Sequence, residues 1–296
     1  MTAPHNTKIS SVPRIGLGTV QFGIDYGVSN TAGQVPAAEV SGILATASDA
    51  GMKVLDTAAS YGNAEEVLGR ALHPGHRFAI VTKTLPLSHG LEQVERRARL
   101  SLEFLGTRPA DAILVHAAQD LLGTDGPRLW SLLQRLRDEG LFRRIGISAY
   151  FADGPLRLAR QYRPDLMQIP FSLLDQRLLQ NGELGALKEL GVEIHVRSIF
   201  LQGLLMMDPA RLPASLTHAA PALAATRARI AEAGLTPVRA AIGFALARSE
   251  VDVAVVGVTS RGELSEIVAA AAADLPEFDW PACAIDDTTT LTPSRW

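Results

Sequence analysis

The chain of 296 residues has one cysteine, Cys283, so it holds no internal disulfide and no cysteine-built metal cluster. Charge of one sign is missing too: 28 Lys+Arg against 31 Asp+Glu leave a net −3, which excludes a polyanion such as nucleic acid as the expected partner. No apolar run is long enough to span a bilayer, so no membrane partner is expected. Residues 1–14 lack the basic start and hydrophobic centre of a signal peptide, and the expectation is a cytoplasmic protein. Aromatics make up only 5% of the chain, with just four tyrosines, which narrows any search for a phenolic proton donor. Hydrophobic residues at 47% and charged residues at 20% remain, the balance of an ordinary globular fold rather than a disordered chain.

What is present is an alternation. Eight short runs rich in Val, Ile and Leu stand at residues 14–19, 52–56, 78–83, 112–116, 144–148, 166–170, 192–197 and 251–258. Most show no in/out alternation, as expected of parallel strands buried on both faces. Between them runs helical spacing: Val40, Ile43, Leu44 and Ala47, then Leu129, Leu132, Leu133 and Leu136, then Leu184, Leu187 and Leu190. Asn63 with Glu66, Ser260 with Glu263, and Thr236 before Pro237 are predicted helix starts. Eight βα units and no linker composition point to a single α/β domain over residues 1–296, a closed (β/α)8 TIM barrel, with a doubly wound open sheet as the alternative.

In a barrel of this kind chemistry collects where strands end. Those positions hold Asp56 and, just beyond, Tyr61, then Lys83, His116, Ser148, Gln168, Arg197 and Ser198. A free tyrosine titrates near pH 10, too high for an effective acid near neutrality. A lysine ammonium beside it favours the phenolate, an aspartate holds the lysine, and a neutral histidine orients a carbonyl oxygen. The set reads as a proton donor aimed at a carbonyl, with hydride supplied from elsewhere.

The motifs DTAASYGNAE at 56–65, VTK ending at Lys83, LVH ending at His116, GLGT at 16–19, IGIS at 145–148, QG at 202–203 and the stretch at 236–260 resemble the aldo-keto reductase superfamily. The resemblance covers about residues 14–270 and leaves 271–296 as a C-terminal tail. It implies the (β/α)8 barrel, a nicotinamide cofactor held without a Rossmann domain, and a catalytic tetrad of Asp56, Tyr61, Lys83 and His116, with Tyr61 as general acid or base. It also implies NADPH, with NADH left open, and a small carbonyl or sugar as substrate. Ser148 and Gln168 would hold the carboxamide, although Ala149 stands where relatives carry asparagine. Arg197 replaces an aromatic that stacks on the nicotinamide, and Ser198 follows it. Gly257, Thr259, Ser260 and Arg261 precede a helix and form an expected anion site through free backbone N–H groups. Gly257 replaces a lysine, Glu263 an arginine and Ile267 an asparagine of many relatives, so Arg261 alone is left to offer charge to a 2′-phosphate.

Phe22 and Tyr26, in a long first loop over residues 20–35, are expected substrate contacts, Phe22 as an apolar wall. The short loop at 117–127 suggests an open pocket suited to polar substrates, while the tail at 274–296 either folds over the site or is disordered. Gly16, Gly18 and Gly23 do not make a GxGxxG fingerprint, and no long helix follows directly. His73 and His76 flank a turn rather than a metal, His195 reads as a satisfied barrel histidine, and Cys283 carries no mechanistic role. Two other classes of function remain open from the sequence: a nucleotide-sensing subunit on the same barrel, and a sugar-phosphate lyase or isomerase that uses no cofactor. Oligomeric state is not readable.

Overall fold

A computed structural model describes residues 12–293 and Trp296; most of the lead-in, residues 1–11, and Ser294 and Arg295 lie outside the described residues. Eight parallel strands close in sequential order: β1 Ile15–Gly18, β2 Val54–Asp56, β3 Ala79–Lys83, β4 Ala110–Val115, β5 Phe142–Ser148, β6 Leu166–Pro170, β7 Glu193–Arg197 and β8 Val253–Gly257. Closure comes from β1 on β8, with Gly16 opposite Val255 and Gly18 opposite Gly257. The open-sheet alternative is thereby excluded, and all eight apolar runs are strands.

The helices are α1 Val20–Gly23, α2 Ala37–Asp49, α3 Ala64–Ala71, α4 Leu91–Leu105, α5 Gln119–Leu122, α6 Gly126–Asp138, α7 Pro155–Tyr162, α8 Arg177–Gln180, α9 Glu183–Glu189, α10 Ala220–Glu232, α11 Pro237–Leu246 and α12 Arg261–Ala272. The outer ones bury the stripes read from spacing: Val40, Ile43, Leu44 and Ala47 on α2, and Leu129, Leu132, Leu133 and Leu136 on α6. Thr236 caps α11 by accepting from the Arg239 amide, and Ser260 caps α12 by accepting from the Glu263 amide. Asn63 differs: it precedes α3 but its Oδ1 accepts from Gln34 Nε2 at 2.9 Å instead of capping the helix. Inside the barrel Val54, Val81, Ala112, Leu114, Leu166, Val253 and Val255 form a cluster of their own, so the lumen is packed and the site must sit above it.

The tail lies along the barrel flank. Phe278 and Trp280 pack in a chain of rings onto Phe244 of α11, Gln176 Nε2 donates to the Trp280 carbonyl at 2.6 Å, and Cys283 is buried. Among the tail's described residues only Thr292, near its end, reaches the rim of the cleft described below. Among the described residues no helix is long and apolar enough to cross a membrane.

Candidate active site at the C-terminal mouth of the barrel

The turn after β2 makes the site. The Asp56 carbonyl is held by Thr19, through its amide at 2.9 Å and its hydroxyl at 3.1 Å. The chain then doubles back, and α1 presses against the turn at two glycines. A Cβ on Gly23 would stand 1.8 Å from the Tyr61 carbonyl, and Gly62 has φ +57° with its own Cβ position 2.4 Å from the Gly23 carbonyl. Only glycine permits that contact, and Tyr61 is fixed by it. Behind the turn, Glu65 of α3 is buried, accepts from Thr82 Oγ1 at 2.5 Å and pairs with Arg97 at 2.6 Å, which ties α3 to β3 and α4.

Lys83 is 1% exposed and donates to Asp56 Oδ2 at 2.7 Å, to the Thr57 carbonyl at 3.0 Å and to Tyr61 Oη at 3.4 Å. Burial opposes its charge, but Asp56 and Tyr61 outweigh that and lift its pKa above the ordinary lysine value. The ammonium is therefore kept. His116, placed by the bond of its amide to Thr84 Oγ1, meets Tyr61 edge to face at 5.6 Å between ring centroids. Burial, with Lys83 close by, pushes its pKa down to about 3, so it is a neutral imidazole at physiological pH. All four tetrad residues expected from the sequence converge here.

Around them opens a cleft of about 1210 Å³, lined among others by Tyr61, His116, Ser148, Gln168, Arg197 and Glu263. Its size suits an extended ligand. Gln168 Nε2 donates to Asp56 Oδ1 at 2.6 Å, so each Asp56 oxygen has one partner: Lys83 on one, Gln168 on the other. Arg197 lies over the Tyr150 ring at 4.3 Å, and Ser198 beside it has φ +61°. Leu201 and Gln202 share that left-handed backbone, at φ +50° and +54°. Such a cluster of non-glycine residues marks a loop held in shape by its surroundings. The first loop supplies part of the hold: the Val28 amide donates to the Gln202 carbonyl at 3.1 Å, and Gln202 Nε2 donates to Tyr26 Oη at 3.0 Å.

Several expected contacts take other places. Phe22 is wholly buried and does not line the cleft: the start of the first loop is the one-turn α1, which turns the ring into the core. Tyr26 does line it, but burial, with Tyr61 and Tyr150 near, pushes its pKa up to about 12, which disfavours it as the acid. Gly257 and Thr259 line the cleft, whereas Ser260 and Arg261 do not. The anion site of free N–H groups is also corrected. The Thr259 amide donates to Glu263 Oε2 at 2.6 Å, the Arg261 amide donates to Glu39 Oε1 at 2.7 Å, and Ser260 takes the Glu263 amide at 3.2 Å. Carboxylates of the chain itself have taken the positive end of α12. His195 is fully buried with Nε2 on Glu193 Oε1 at 2.7 Å, but its Nδ1 has no partner among the described residues, so it is half satisfied.

Cleft residues that escaped the sequence reading include Gln21, Tyr150, Arg227 and Glu266. Gln21 packs where a Cβ on Gly257 would sit, 2.7 Å from its amide, and its Oε1 is buried without a partner among the described residues. An orphaned acceptor on the wall of a long cleft fits a ligand that donates hydrogen bonds.

Comparison with known proteins decides the family. The Aldo/keto reductase family model matches residues 14–285, which carries the likeness 15 residues into the stretch expected to be tail. The chain belongs to the aldo/keto reductase family. An aldo-keto reductase of Mycolicibacterium vanbaalenii is 31% identical over 209 residues, 68% of each chain. One from Mycobacterium sp. strain JLS is 31% identical over 210 residues, again 68% of each. Among solved structures, a Pseudomonas aeruginosa protein assigned to the aldo-keto reductases superposes with a TM-score of 0.65 at 26% identity, covering 88% of this chain and 89% of that one. The holo form of a Bacillus halodurans aldo-keto reductase gives a TM-score of 0.69 at 21% identity, with 89% and 88% covered, and speaks for the fold alone. As an aldo-keto reductase the chain is an NAD(P)-dependent oxidoreductase acting on small-molecule carbonyl groups.

Proposed function

We propose that the chain reduces the carbonyl of an aldehyde, ketone or sugar, or runs the reverse oxidation, with Tyr61 as the proton donor or acceptor. The observation that carries this reading is the Lys83 ammonium, buried and bonded at once to Asp56 at 2.7 Å and to Tyr61 Oη at 3.4 Å. A nicotinamide dinucleotide fits the cleft through Ser148, Gln168, Arg197, Ser198 and the orphaned Gln21, and supplies or takes the hydride when bound. As hydride adds to the carbonyl carbon, the π electron pair moves to oxygen and the Tyr61 proton passes to it. Lys83 stabilises the negative charge left on the Tyr61 oxygen. Asp56 holds Lys83, and Gln168 holds Asp56 from the other side. Neutral His116, beside Tyr61, is placed to donate a hydrogen bond to the same carbonyl oxygen without adding a charge.

The mouth is open toward Tyr26, Asn30 and Ala152, a rim with hydroxyl and amide groups that favours polar substrates such as sugars. The test is a titration of the purified chain with NADH and NADPH by nicotinamide fluorescence, followed by a panel of aldehydes, ketones and sugars. Binding of a reduced nicotinamide and its oxidation by members of the panel are expected. Binding without any turnover would point to a sensing subunit, and no binding of either nucleotide to a cofactor-free lyase or isomerase.

A further inference from the structure

The tetrad places the reacting nicotinamide at the Tyr61 end, so the rest of a dinucleotide must run on along the cleft. The run leads past Ser198, Gly257 and Thr259 to the first turns of α12, where Glu263 and Glu266 line the wall. That end is built against a phosphate. Glu263 Oε2 accepts from the Thr259 amide at 2.6 Å and Glu263 Oε1 from the Thr259 hydroxyl at 3.0 Å, the donors a phosphate oxygen would need.

Arg261, the cation expected to serve there, faces elsewhere. Its Nε lies 3.4 Å from Glu39 Oε2, and its stem crosses α2 where Gly42 has no side chain; a Cβ there would stand 2.4 Å from Arg261 Cδ. Arg227 of α10 lines the cleft, but its Nη1 donates to the Leu205, Met206 and Met207 carbonyls at 3.4, 3.0 and 2.7 Å and so faces the β7 loop. A ribose hydroxyl can donate to a carboxylate; a phosphate monoester, with a charge near −2 and acceptor oxygens, is repelled by one.

Taking the cleft as the dinucleotide site proposed above, we infer that its β8–α12 end selects NAD(H), with a free 2′-hydroxyl on the adenosine ribose, over the 2′-phosphorylated NADP(H). Glu263 is the residue that sets the choice, by occupying the Thr259 donors and by facing the ribose with a carboxylate. The NADPH implied by the family resemblance does not fit the residues present.

Equilibrium titration of the full chain with NADH and with NADPH tests this without turnover. NADH is expected to bind at least about tenfold tighter. Glu263→Gln should raise NADPH affinity several-fold while holding NADH within about threefold, and Glu263→Arg should carry the preference over to NADPH. Equal or tighter NADPH binding by the unaltered chain would overturn the selection while leaving the dinucleotide site standing. So would a preference unmoved in both variants. Failure of both nucleotides to bind would overturn the site and the selection together.

Discussion

At the C-terminal mouth of the barrel Lys83 joins Asp56 and Tyr61. At the N-terminal mouth Arg144 of β5 joins Asp111 of β4, at 2.5 Å, to Glu193 of β7, and Glu193 holds His195. Both mouths thus hold a cation, at least one carboxylate and a histidine on or just past barrel strands. They differ in what the network leaves over. The upper one leaves the phenol of Tyr61 and the ring of His116 on the wall of a cleft. In the lower one Arg144 is claimed by two carboxylates and His195 is sealed at 0% exposure. Residue types alone do not make an active site. A titratable group left facing a space does.

The largest effect that separates the two mouths is expected from Lys83→Met. Loss of the ammonium removes the partner of Tyr61, and carbonyl turnover should fall by roughly 10²–10⁴-fold. Because Asp56 is then left buried without its cation, stability should also fall, by about 3–5 kcal/mol. Thermal melting and steady-state assay on the same sample read both. Arg144→Met should do the reverse: a loss of about 1–2 kcal/mol, moderated because the side chain is 28% exposed, with turnover held within about twofold. A large activity loss in that variant would erase the distinction.

Acid separates the mouths more finely. His116 has its folded pKa lowered from 6.5 to about 3, so between those values the unfolded chain takes up a proton that the folded chain refuses. The stability this group contributes is complete above pH 6.5 and is lost as pH falls toward 3. Glu193 is held down from 4.5 to about 2 by its bond to His195 and by Arg144, and its contribution is lost only as pH falls from 4.5 toward 2. Urea unfolding across pH should show His116→Gln flattening the limb that begins near 6.5 and Glu193→Gln flattening only the part below 4.5. A shared onset in the two variants would contradict the assignment.

Much of this was legible before the fold was known. Strands buried on both faces leave unbroken apolar runs, and polar residues at or near the ends of several runs line the cleft: Asp56, His116, Ser148 and Gln168, with Lys83 buried behind Tyr61. What stayed hidden depended on partners distant in sequence. The Arg261 side chain pairs with Glu39, 222 positions away, and no count along α12 reveals it. Phe22 was misplaced because a single helical turn, too short to show periodicity, decides which way its ring points. Gln168 was expected on a cofactor, but its bond to Asp56 depends on strands β2 and β6 facing each other across the barrel. The tail could not be placed, because its anchors, Phe244, Gln176 and Leu174, lie on the barrel.

The most direct test of Tyr61 as the proton donor is a single-turnover experiment. The unaltered chain and Tyr61→Phe are each loaded with reduced nicotinamide and mixed with a carbonyl that the panel shows to be a substrate, and the decay of bound-cofactor fluorescence is followed. The expected result is affinity for the cofactor unchanged within about threefold and a decay abolished or slowed by at least about 10³-fold in Tyr61→Phe. Decay at the unaltered rate in that variant would contradict the assignment outright.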